Sequence, residues 1–134
     1  MRRKKAVKLE WEEAPQIKQD IVRLISTLEI PYIPLDRIFC YRSFGSSSRS
    51  YARIWSFPKI FQHALQIEPS YVIEVLAKYY DTLDRDRQLQ VLIHELLHIP
   101  KNFSGSLLPH RNSQGKHLEK TARELFQEYK RRTE

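Results

Sequence analysis

The stretch Val91–His110, VLIHELLHIPKNFSGSLLPH, constrains this chain more than any other. Leu89, Leu92, Ile93, Leu96 and Leu97 recur at helical spacing behind Asp84, a residue type that caps helix N-termini, and Pro100 closes the run. Such a helix buries one face in a core, yet this one carries His94, Glu95 and His98, three polar side chains in five positions. Residues four apart project from one helix face about 6 Å from each other, so the two imidazoles can share one Zn²⁺ at about 2.0–2.1 Å per bond. Glu95 can then reach a water on that metal and serve as general base once the metal has lowered the water's pKa to roughly 7. With five histidines and eleven glutamates, a shuffled chain would carry His-Glu-x-x-His about once in seventy. Chance alone can therefore produce the motif, and its position on an amphipathic helix ended by proline is what favours a metal site over incidental core histidines.

A catalytic zinc takes a third protein ligand and keeps a fourth position open. His110 and His117 are candidates, with Glu119 and Glu124 behind them. The longer His-Glu-x-x-His-x-x-Gly-x-x-His pattern fails, because Lys101 replaces its glycine and Ser104 its last histidine. Glutamates further along suit a different zincin layout, but Glu124 lacks the residues that accompany it there.

The remaining segments predict an α+β domain. Pro15 suits a first helical turn, and Ile17, Ile21, Leu24, Ile25 and Leu28 follow at helical spacing, stopping before the linker IPYIP. RIFCYRS and YARIWS read as two strands joined in a hairpin across FGSSSRS. The loop serines and Arg49 could cup a phosphate, but a solvated hairpin tip fits the composition better. Pro58 opens a short helix through KIFQHAL, where His63 reads as a packing or surface residue, and YVIEVL reads as a third strand. A last helix from about His117 places Leu118, Ala122, Leu125, Phe126 and Tyr129 on one face. The expected organisation is a single domain over residues 1–134, with residues 1–13 and 131–134 as flexible basic tails.

A lone cysteine, Cys40, forms no internal disulfide, and no apolar stretch approaches the ~20 residues of a bilayer span. The expected setting is cytoplasmic, with no membrane partner. A net charge of +7, with Arg2, Arg3, Lys4 and Lys5 at one end and Lys130, Arg131 and Arg132 at the other, favours anionic partners, nucleic acid first, although terminal charge runs often only keep a protein soluble.

CYRSFGSSSRSYARIW, YVIEVL, LIHELLHIPKNFSG and LLPHR together resemble a metallopeptidase family of phages and archaea, related in outline to the SprT-like minimal zincins. The likeness runs from about Pro15 to Tyr129. It implies a small zincin-like domain with an N-terminal helix, a short, mostly antiparallel sheet, an active-site helix and a C-terminal helix. It also implies one zinc per chain held by His94, His98 and His110, with Glu95 as the base. A single cysteine leaves no room for the extra zinc ribbon of some SprT-like proteins. The expected activity is zinc-dependent hydrolysis of a peptide or protein substrate, in which Glu95 takes a proton from water and delivers it to the leaving amine. Arg111, His117 or a tyrosine are the candidates to stabilise the oxyanion. YVIEVL is expected either to pair with an extended substrate as an edge strand or to lie within the sheet. The alternative is a basic nucleic-acid-binding module with a structural metal or none, drawing on Arg42, Arg49, Arg53 and Trp55. Substrate identity and oligomeric state stay open at this stage.

Overall fold

The computed structural model describes residues 8–110 and 117–134. The basic run Arg2–Lys5 and the candidate Arg111 lie outside the described residues. The described residues form strands β1 (Glu10–Glu13), β2 (Ile38–Phe44), β3 (Ala52–Ser56) and β4 (Tyr71–Leu76) and helices α1 (Pro15–Leu28), α2 (Lys59–Leu65), α3 (Ala77–Tyr80), α4 (Arg85–Leu96) and α5 (Leu118–Thr133), in the chain order β1-α1-β2-β3-α2-β4-α3-α4-α5. The domain is α+β, as its segment order predicts. No helix among the described residues is long and apolar enough to cross a membrane.

The sheet order is β1-β2-β4-β3, so the expected β2–β3 hairpin does not form. β4 inserts between the two, parallel to β2 and antiparallel to β3. Burial fits this position: Tyr71, Ile73, Glu74, Val75 and Leu76 are all buried, and a strand this apolar is best placed between two neighbours in the interior of a sheet. The serine loop satisfies some of its own backbone, with Ser48 N–H donating to Ser46 Oγ and Ser50 N–H to Ser48 Oγ. That leaves β3, not YVIEVL, at the sheet edge. The supposed flexible ends also shrink, since Glu10–Glu13 pairs with β2 and Arg131 and Arg132 sit in the last turn of α5.

On the helical side, Ile38, Cys40, Ile73 and Val75 join Ile17, Ile21, Leu24, Leu92, Ile93 and Leu96 in one apolar core. Asp84 caps α4 by accepting from Arg87 N–H, and Arg85 pairs with Asp20 of α1 through both guanidinium nitrogens. α4 and α5 run antiparallel, with Lys130 near the end of α5 bridging to Asp86 in the first turn of α4. Burial pushes the Cys40 thiol up to about 11, which keeps it protonated and unreactive at neutral pH.

The opposite face of the sheet is open and aromatic. Glu74, only 1% exposed, accepts from Trp55 Nε1 at 2.7 Å, Trp11 Nε1 at 3.2 Å and Arg53 Nε at 2.6 Å. Burial alone would raise the Glu74 pKa, but the bonds from Arg53 and Trp55 outweigh it and hold the carboxyl at about 2. Its folded pKa is thus depressed below the ordinary 4.5, so its stabilisation is present above that pH and is lost as pH falls toward 2. Glu74→Ala is expected to lower stability by about 2–4 kcal/mol at pH 7, because a buried acceptor of three donors disappears. Urea unfolding at unchanged m would measure it, and a loss below about 1 kcal/mol would show that the three donors simply rehydrate.

Candidate active site

α4 ends its regular hydrogen bonding at Leu96, earlier than the apolar stripe suggests. Pro100 has no N–H to offer the Leu96 carbonyl, which instead accepts from Ile99 at 3.1 Å, while His98 N–H donates to Glu95 O at 3.1 Å. His98 therefore sits in a tightened terminal turn, not in the helix proper. The two imidazoles still meet, with ring centroids 5.2 Å apart.

His110 arrives from the loop after this turn. Its ring lies 5.1 Å from that of His94 and 4.7 Å from that of His98. One donor atom from each of the three falls within 4.8 Å of the others, and among the described residues this is the grouping suited to a metal. Three imidazole nitrogens on one zinc would stand about 3.4 Å apart at bonds of about 2.0–2.1 Å, inside the 4.8 Å within which these donor atoms already lie. The donor set thus fits zinc. His117, Glu119 and Glu124 are not in the group, although Glu119 is near enough to bias His94.

Two contacts that sequence periodicity does not show hold this loop. His98 Nδ1 lies 2.5 Å from Leu108 O; a carbonyl only accepts, so Nδ1 carries the proton and Nε2 is left for a metal. Tyr71, fully buried on β4, donates its hydroxyl to Ser106 O at 2.7 Å and accepts from Gly105 N–H at 2.9 Å. The same ring meets Phe103 edge-on at 5.0 Å. Gly105 has φ +93°, a left-handed conformation that favours glycine, whereas a Cβ there would displace only the end of the Gln62 side chain. Tyr71 was legible in the sequence only as a strand residue, since its partners lie more than thirty positions away.

The electrostatics suit metal binding. Burial lowers the His94 pKa, and the neighbouring His98 and His110 lower it further; burial likewise lowers that of His98. Both therefore favour the neutral form that binds metal. Glu95 is buried, and desolvation raises its carboxyl to about 7. His94 and Glu95 open onto a cleft of about 340 Å³ walled by the start of β3, by α4 and by α5. Tyr51 is the tyrosine of this wall, and His117 caps the start of α5.

A family model described as "Putative phage metallopeptidase" matches residues 9–131. The chain belongs to this family. The match spans both the three-histidine group and the sheet that braces it, so the phage metallopeptidase assignment does not rest on a short motif. No curated protein and no solved structure matches the chain.

Of the residues behind the nucleic-acid alternative, Arg42 pairs with Asp81 and Arg53 with Glu74, while Arg49 is exposed. Trp55 is 51% exposed and its ring lies 5.0 Å from the Arg53 guanidinium. Two of the three arginines are thus already neutralised within the protein.

Proposed function

We propose that this phage-family metallopeptidase is a zinc-dependent hydrolase of peptide bonds. The observation that carries the reading is the convergence of His94, His98 and His110 beside the buried Glu95, in a chain whose family is named for metallopeptidases. Zinc held by the three imidazoles would supply a Lewis acid for the scissile carbonyl and lower the pKa of a water to roughly 7. Glu95, with a carboxyl poised near neutrality by burial, accepts the water's proton and returns it to the departing amine. His98, oriented through Leu108 O, would have its Nε2 free to hold the metal. Tyr51, which lines the same cleft, is the tyrosine candidate to meet the oxyanion.

The edge strand supports a peptide as substrate. Leu76 N–H donates to Tyr51 O at 2.9 Å, so Tyr51 faces β4 and the alternation of an antiparallel ladder turns the backbone of Ala52 and Ile54 to the free edge. An extended peptide can add there as a further strand, next to the cleft. Nucleic acid is kept only as a secondary partner, through Arg49 and the open faces of Trp11 and Trp55.

Chelation is expected to abolish cleavage of an unstructured protein substrate, and zinc near one equivalent per chain is expected to restore it. Cleavage that survives complete removal of metal, confirmed by mass spectrometry, would sink the zinc mechanism.

A further inference from the structure

The cleft that holds His94 and Glu95 is also lined by Arg87 of α4 and Arg123 of α5. Among the described residues neither guanidinium has a carboxylate partner, in contrast to Arg42, Arg53 and Arg85. Their positions follow from the helices. Arg87, Val91 and His94 share one stripe of α4, and seven residues at 1.5 Å rise set Arg87 about 10 Å from His94 along the axis. α5 runs antiparallel to α4, so Glu119 near its start stands beside His94 while Arg123, one turn on, lies toward Arg87. The buried Ala122 leaves a low floor between them. The cleft therefore carries Glu95 and Glu119 at the histidine end and two guanidinium groups without carboxylate partners beyond them.

We propose that Arg87 and Arg123 form a carboxylate subsite that selects peptides carrying a negative charge about two to three residues from the scissile bond. The inference rests on the hydrolase reading above. The spacing follows from geometry: an extended peptide advances about 3.3 Å per residue, so about 6 Å to the level of Arg123 and about 10 Å to that of Arg87 correspond to two to three residues. A guanidinium lining the cleft can offer a carboxylate forked, charge-assisted hydrogen bonds, whereas a substrate lysine is repelled and a glutamine accepts only a weaker, neutral bond. The carboxylate comes from an Asp or Glu side chain or from the substrate's own C-terminus. A nucleic-acid strand fits less well, because its phosphates recur along the whole cleft and would meet Glu95 and Glu119, whereas a peptide presents its charge once.

The test uses the zinc-loaded full chain with quenched fluorescent peptides. One set has an amidated C-terminus and a single Glu walked along the sequence, with Gln and Lys counterparts; a second set is truncated to place a free C-terminal carboxylate at each position. Cleavage sites are mapped by mass spectrometry. The expected result is a kcat/KM at least roughly tenfold higher when the carboxylate lies about two to three residues from the cut, carried mainly by KM and reduced by salt. Which set shows the optimum identifies the source of the carboxylate. Arg87→Glu and Arg123→Glu should invert the preference toward Lys, with zinc content and melting temperature unchanged. Binding of the same peptides to Glu95→Gln protein, read by anisotropy, separates the two claims. Cleavage with no charge preference, or with a preference that survives both charge reversals, overturns the subsite alone. A carboxylate preference in binding with no cleavage of any peptide by the zinc-loaded wild type supports the subsite and overturns the hydrolase reading. Neither binding nor cleavage overturns both. A single-stranded oligonucleotide that binds through Arg87 and Arg123 while peptides show no preference assigns the pair to phosphate and overturns the proposal.

Discussion

Glu95→Gln is expected to lower peptide hydrolysis by about 10²–10⁴-fold, the range for loss of a positioned general base, with zinc still bound near one equivalent. The amide fills the same space and leaves the three histidines in place, but it cannot accept the water's proton. The carboxyl it replaces is 8% exposed, and its burial has an independent consequence. Its folded pKa, about 7, lies above the ordinary 4.5 of the unfolded chain. Between those values the folded state holds a proton that the unfolded state has released, so the metal-free protein loses stability as pH rises through that window, by something of the order of 2–3 kcal/mol. Glutamine stays neutral throughout. Metal-free Glu95→Gln should therefore match the wild type near pH 4.5 and exceed it above pH 7. A cation beside Glu95 favours the carboxylate, so zinc binding to the wild type should also release more protons than zinc binding to the variant. Kinetics, metal analysis and thermal melts at two pH values check all three outcomes. A variant that keeps more than a tenth of the activity would remove Glu95 from the role of base.

His110→Ala is expected to weaken zinc binding by more than about a hundredfold, beyond the ten- to hundredfold attributed to outer partners of a metal ligand. The loop that brings His110 to α4 is anchored by Tyr71 and His98, not by the histidine itself, so the variant should fold with its loop in place. Metal stabilises whatever binds it in the folded state, by about 2.7 kcal/mol at a free concentration one hundred times Kd. The zinc-dependent rise in melting temperature seen for the wild type should thus nearly vanish in His110→Ala at the same zinc concentration. Affinity for the wild type should fall as pH drops, since protons compete for the imidazoles, and the depressed pKa values of His94 and His98 move that loss to more acidic pH than for free histidine. A titration against a competing chelator measures both effects. If His110→Ala bound one zinc at wild-type affinity, the third ligand would have to be sought among His117, Glu119 and Glu124.

Much of this protein is legible one segment at a time. The stripe of Ile17, Ile21, Leu24 and Ile25 predicts α1, Asp84 predicts the start of α4, and the face of Leu118, Ala122 and Tyr129 predicts α5. His94, Glu95 and His98 are readable for the same reason, because a helix converts a spacing of four residues into a shared face. β1 was not legible: EWEE is short, charged and exposed, and it becomes a strand because β2 offers an open edge. The hairpin reading of β2 and β3 failed because both segments pair with β4, whose largely buried, apolar sequence suits the interior position.

The sequence by itself determined α1, α2, α4 and α5, though not the single turn of α3, together with the pair of histidines after Asp84 and the residue type suited to act between them, because all of these depend on neighbours within one or two turns. Tertiary structure alone decided that β3 forms the sheet edge beside the cleft, that Tyr71 anchors the loop delivering His110, and that Arg87 and Arg123 share a cleft with Glu95. Those arrangements join segments distant along the chain, and their partners are chosen by competition for burial and hydrogen bonds, which local periodicity does not encode.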